Sequence, residues 1–167
     1  SWSWDFGDNS ISLLEDPYYT YASVDSIYQV TLIVNDDQER AKGLETAKHD
    51  MGLLKEMGGV RIAAPPVGAT DIEDFDLFAA AKRYYDLCEV GRNEGITPQL
   101  ELWGFSKTLS RLGELAFVAT EAGHPDACIL PDIYHIYKGG SSFNGLKMLN
   151  GQHIHCFHVN DSPADPP

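Results

Sequence analysis

Three short apolar runs in the second half of this chain each end in a side chain able to bind a hard cation, and that arrangement limits the fold more than any other feature. Gln99-Leu100-Glu101 ends on a carboxylate, Ala127-Cys128-Ile129-Leu130-Pro131-Asp132 ends on another, and the alternating run 154–159 carries His158 near its end. Helical segments separate the runs. Strands that alternate with helices are joined by right-handed crossovers and therefore lie parallel in one sheet. Parallel neighbours place their C-terminal ends on the same side, where α/β sheets and barrels hold their ligands. Glu101, Asp132 and His158 are thus expected to converge on one cation. Two carboxylates and an imidazole suit Mn²⁺, Mg²⁺ or Co²⁺, and the imidazole also admits Zn²⁺. Taken singly, each residue has a plainer reading, because an acid at a strand end is often the N-cap of the next helix and a histidine among apolar neighbours is often a core residue. Three such ends in succession favour the metal.

The same motifs carry a family resemblance. LELWGFSK, LPDIYHIYKGG and IHCFHVNDSPADPP resemble the strand-end motifs of the sugar phosphate isomerase/epimerase family with the xylose isomerase-like TIM barrel, over about residues 39–167. The resemblance implies Glu101, Asp132 and His158 as metal ligands and His135 as a contact to a substrate hydroxyl. It also implies a mechanism in which a cation holds two adjacent sugar oxygens while Glu101 removes the neighbouring proton to give an enediolate. Trp103 is placed to stack on a sugar face, and Asp161 to orient His158 or a substrate hydroxyl. The expected substrate is a small sugar or sugar phosphate. Metal-dependent dehydratases and endonuclease IV-like hydrolases share this ligand set and form one alternative.

Upstream, residues 38–57 repeat Leu44, Ala47, Met51, Leu54 and Met57 at helical spacing and stop at Gly58-Gly59. A short buried strand is expected at 60–64. Thr70-Asp71-Ile72-Glu73 has the form of a capping box for a helix to about residue 93, with Phe75, Phe78, Tyr85, Leu87 and Cys88 as its core positions. Ser106 is read as the N-cap of a further helix that carries Leu109, Leu112 and Leu115. Gly139-Gly140 reads as a flexible loop, and 143–149 as a short helix. The fold class is therefore α/β: a partial TIM barrel of about four βα units with parallel strands.

Residues 1–36 follow a different period. WDFGDN, DPYYTYA and YQVTLIVND resemble the C-terminal half of a PKD domain, an immunoglobulin-like sandwich, which would make this an all-β segment in front of the barrel. PKD-like modules imply an exported binding or interaction protein, the second alternative, whereas the barrel part suggests a cytoplasmic enzyme. The expected domains are 1–36 and 39–167.

Size and charge narrow the function. A complete barrel needs about 250 residues, more than the 167 present, so a partial barrel with open sheet edges is expected, and those edges favour a homo-oligomer. The chain begins with Ser1 rather than Met and is read as a processed or partial product. A net charge of −13 without a basic cluster argues against nucleic-acid and anionic-membrane partners. Cys88, Cys128 and Cys156 have no CxxC spacing and read as core thiols. No stretch resembles a membrane span.

Overall fold

The computed structural model describes residues 4–5, 11–12 and 37–159. Two-residue strands β1 (Trp4–Asp5) and β2 (Ile11–Ser12) pair antiparallel, Trp4 with Ser12 and Asp5 with Ile11. The remainder of the PKD-like stretch lies outside the described residues.

From Asp37 onward the order is α1 (Asp37–Glu56), β3 (Arg61–Ala64), α2 (Leu77–Glu94), β4 (Thr97–Glu101), α3 (Leu112–Ala122), β5 (Cys128–Leu130) and α4 (Ile133–Lys138). Strands β3, β4 and β5 form one parallel sheet in that order. Segment 154–159 adds the expected fourth position as two isolated parallel bridges, Ile129 to Ile154 and Asp132 to His158. The architecture is a section of a TIM barrel with parallel strands.

One face of the sheet carries the helices. Ile62, Ala64, Leu100 and Ile129 join Met51 of α1, Tyr84 and Leu87 of α2, and Leu115 and Val118 of α3 in a continuous core. Side chains alternate along a strand, so Gln99 and Glu101 point to the opposite face, the interior of a closed barrel. Burial of apolar surface at about 25 cal/mol per Å² drives this layering, and the glycine ends of the helices make it compact. Gly95 and Gly123 close α2 and α3 at φ 77° and 62°, a left-handed conformation that costs glycine least.

Several expected boundaries shift. Helix α2 is capped by Asp76, whose carboxylate accepts the Phe78 N–H at 2.9 Å, not by Thr70. Asp74 sits at φ 52°, which ends any helical run begun at residue 70, and Glu73 is drawn away to the Lys107 ammonium at 2.8 Å. Phe78 and Tyr85 are exposed and pack edge-on against Phe117 and His124, while Ala80, Ala81 and Tyr84 take the core positions. Likewise α3 begins at Leu112 rather than after Ser106. Leu109 adopts φ 53° there, and the Glu114 carboxylate accepts the N–H groups of Ser110 and Arg111 at 2.8 and 3.1 Å.

The run 154–159 was expected to be a buried strand, yet residues 155–159 are exposed. It lies beyond β5 at the margin of the sheet, and no strand covers its outer side among the described residues. Cys156 on this run is exposed, whereas Cys88 and Cys128 are buried as read. Gly139 and Gly140 do not form a free loop but end α4, and a Cβ at Gly139 would stand 1.9 Å from the Ser110 carbonyl oxygen. Residues Phe143–Met148 form a 3₁₀ helix. No described helix is long and apolar enough to cross a membrane.

Candidate metal centre

Register brings the three expected ligands together. Glu101 pairs with Leu130 across the β4–β5 ladder, Asp132 follows two residues later on the same face, and His158 is bridged to Asp132. Two main-chain hydrogen bonds carry the histidine, from His158 N–H to the Pro131 carbonyl at 2.9 Å and from Ile133 N–H to the His158 carbonyl at 3.0 Å. The result is compact. His158 Nδ1 lies 3.2 Å from Glu101 Oε1 and 3.6 Å from Asp132 Oδ2, and the ligand atoms of all three residues lie within 4.8 Å of one another.

The geometry of Asp132 is compatible with both of its possible roles. Its Oδ1 accepts the His135 N–H at 3.1 Å and so caps α4, while Oδ2 faces His158. The helix-cap reading and the ligand reading use different oxygens, and the cap holds the carboxylate in place for the second.

Both carboxylates are buried, Glu101 to 6% exposure and Asp132 to 4%, while the His158 side chain is 45% exposed. Burial pushes the Glu101 pKa upward, the nearby Asp132 charge pushes the same way, and His158 opposes them. Two acids facing each other in a buried position, with oxygen and imidazole donors converging, fit a divalent cation, which offsets their repulsion directly.

The raised pKa carries a stability consequence. The folded protein keeps the Glu101 proton to a higher pH than the unfolded chain does, so stability falls as pH rises from the ordinary carboxylate value to the raised one. Metal-free Glu101→Gln is therefore expected to melt higher than wild type at pH 7 and to lose that advantage near pH ~4, where unfolded carboxylates protonate. Thermal melts in chelator at the two pH values check this. A lower melting temperature for the variant at pH 7 would contradict it.

The other expected site residues separate. Trp103 stacks on Phe105, with ring centroids 5.2 Å apart and planes at 30°. His135 follows the Asp132 cap, its ring edge-on to Phe105 at 5.7 Å. Its Nδ1 is buried with no hydrogen-bond partner among the described residues, and burial lowers its pKa, which keeps the ring neutral at pH 7. Asp161 lies outside the described residues. Sequence reasoning missed Phe105 and α4. The D-x-x-H spacing, an N-cap acid followed by its first turn, was the available signal for α4.

Two clefts of about 620 and 430 Å³ lie between α3 and residues 139–153, and neither includes a residue of the metal trio.

Fold and site together define a parallel α/β barrel section with a hard-cation donor set at its C-terminal strand ends. The family model for xylose isomerase-like TIM barrels matches residues 12–167, and the chain belongs to that family. The match begins inside the stretch read as PKD-like, and nothing in the described residues shows a PKD fold. Among solved structures, the chain is similar to the IolI protein with a bound zinc atom, at 18% identity and a TM-score of 0.71 over 83% of this chain and 51% of that one. It is also similar to a Methylomonas sp. D-allulose 3-epimerase in complex with D-allulose, at 17% identity and TM-score 0.67 over 81% of this chain and 49% of that one. A third is the E. coli 3-keto-D-glucoside 4-epimerase YcjR in its apo form, at 17% and 0.66 over 84% and 60%. The chain thus spans about half the length of the first of these relatives. Among curated protein sequences none matches it.

Proposed function

We propose that this chain carries the metal-binding section of a sugar isomerase or epimerase, which moves a proton on a carbon next to a sugar carbonyl. The observation that carries the reading is the meeting of Glu101, Asp132 and His158 within 4.8 Å at three successive strand ends. The sugar epimerases among its structural relatives support the substrate class. A divalent cation held by these three residues, Mn²⁺, Mg²⁺ or Co²⁺ with Zn²⁺ also admitted, supplies positive charge that stabilises the negative charge built up on the sugar oxygens.

Glu101 is the base. Its Oε1 lies 3.2 Å from His158 Nδ1, which orients it. His135, neutral at pH 7, has one nitrogen to donate and one to accept, the combination that a sugar hydroxyl requires.

Deuterium exchange from D₂O into D-allulose, with Mn²⁺ present, tests the assignment. Wild type is expected to exchange the carbon-bound proton, and Glu101→Gln to slow exchange about 10² to 10⁴-fold, the usual worth of a positioned base. Equal exchange by wild type and variant would contradict the role of Glu101.

A further inference from the structure

Phe105 stands out once the metal trio and its supports are accounted for. It is 56% exposed, but the loop beneath it is pinned on both sides. Trp103 N–H donates to the Leu109 carbonyl at 3.0 Å, Ser106 N–H to the Trp103 carbonyl at 2.8 Å, and Lys107 N–H to the Thr70 carbonyl at 2.8 Å. Gly104 packs so closely on α4 that a Cβ there would meet the His135 carbonyl oxygen at 2.4 Å and the Gly139 nitrogen at 2.6 Å. The ring is therefore held out on a tied loop, not swung out on a loose one. It stacks on Trp103, two residues beyond Glu101 in the chain, and it meets the His135 ring edge-on. Phe105 and Trp103 together form an apolar step beside His135, whose backbone N–H is held by Asp132 of the trio. The lysine on the same loop, Lys107, directs its ammonium to Glu73 at 2.8 Å.

We propose that Phe105 is a specificity residue: its exposed ring, continuous with Trp103, receives the C–H face of the sugar carbons remote from the reacting pair. Sugars are amphipathic, with hydroxyls around the rim and C–H groups on the faces, and an aromatic ring offers a flat apolar surface whose negative π-face attracts C–H groups. The carboxylates and imidazoles hold the hydroxyl side, and the aromatic step holds the other. The inference rests on the proposed sugar site.

The test uses the full chain with D-allulose as probe and Mg²⁺ as a diamagnetic cation. Saturation-transfer NMR, irradiating aromatic protons, reads contact and affinity, while calorimetry with Mn²⁺ reads the metal trio separately. In wild type, transfer to the sugar C–H protons is expected. Phe105→Leu, which keeps an apolar side chain but no ring, is expected to weaken D-allulose about three- to tenfold, and Phe105→Trp to stay near wild type. Mn²⁺ affinity and melting temperature should be unchanged in both. Wild-type affinity in Phe105→Leu would overturn the proposal, as would a loss of Mn²⁺ binding in step with sugar binding, which would make Phe105 a support of the trio. If wild type binds Mn²⁺ but shows no sugar signal, both the aromatic step and the sugar reading fall while the metal trio stands. Absence of Mn²⁺ binding in wild type would remove the site and the step together.

Discussion

Asp132→Asn is expected to remove divalent-cation binding while leaving the fold in place. Asparagine is as good an N-cap as aspartate, and its amide oxygen can accept the His135 N–H as Oδ1 now does at 3.1 Å. What it lacks is the charge on the oxygen that faces His158 at 3.6 Å. Loss of an outer partner of a metal ligand costs about 10- to 100-fold in affinity, and loss of a charged ligand should exceed that. Asp132→Ala removes both functions, so it should also cost about 1 kcal/mol through the missing cap. Calorimetric Mn²⁺ titrations and thermal melts of wild type, Asn and Ala variants separate the two roles. Equal Mn²⁺ affinity in wild type and Asp132→Asn would show that the carboxylate is only a cap.

The largest effect on folding is expected at Tyr84. The side chain is fully buried in α2, and its hydroxyl bridges the starts of two strands. It lies 3.0 Å from the Pro98 carbonyl and 2.7 Å from the Cys128 carbonyl, and it accepts the Cys128 N–H at 3.1 Å. A hydroxyl has one proton, so the two carbonyls share it. Burial pushes the Tyr84 pKa well up, and the phenol stays neutral. Tyr84→Ala should cost about 3–5 kcal/mol, as other aromatic-to-alanine changes in cores do, a large part of the roughly 5–15 kcal/mol that holds a domain together. Tyr84→Phe keeps the ring but leaves the Cys128 N–H without its acceptor, at about 1–3 kcal/mol. Urea unfolding of the three proteins checks this order. Because the hydroxyl ties β4 to β5 at the ends away from Glu101 and Asp132, the Phe variant should keep its Mn²⁺ affinity.

The sequence made some of this legible and hid the rest for physical reasons. The meeting of Glu101, Asp132 and His158 could be found because each apolar run ends abruptly in a polar side chain, and parallel crossovers leave only one side for those ends to share. Helix starts were less visible. Asp74 and Leu109 take left-handed backbone conformations that nothing in their side chains announces, so α2 and α3 begin later than Thr70 and Ser106 suggested. Tertiary partners decided those boundaries, with Glu73 recruited by Lys107 and Glu114 by the backbone of residues 110 and 111. The alternation in 154–159 has the look of a half-buried strand, but burial depends on neighbours, and this run lies at the margin of the described sheet. Trp103 was read as a sugar platform from its position after a strand. Its stacking on Phe105 depends on how the indole turns, which spacing does not encode.

The central claim is that Glu101, Asp132 and His158 hold one cation through their facing atoms, and anomalous diffraction from crystals grown with Mn²⁺ tests it most directly. The account predicts a single strong peak at about 2.0–2.3 Å from a carboxylate oxygen of Glu101, from a carboxylate oxygen of Asp132 and from His158, through Nδ1 rather than Nε2. A map with no peak among these three residues, or with Mn²⁺ bound only elsewhere on the chain, would contradict it.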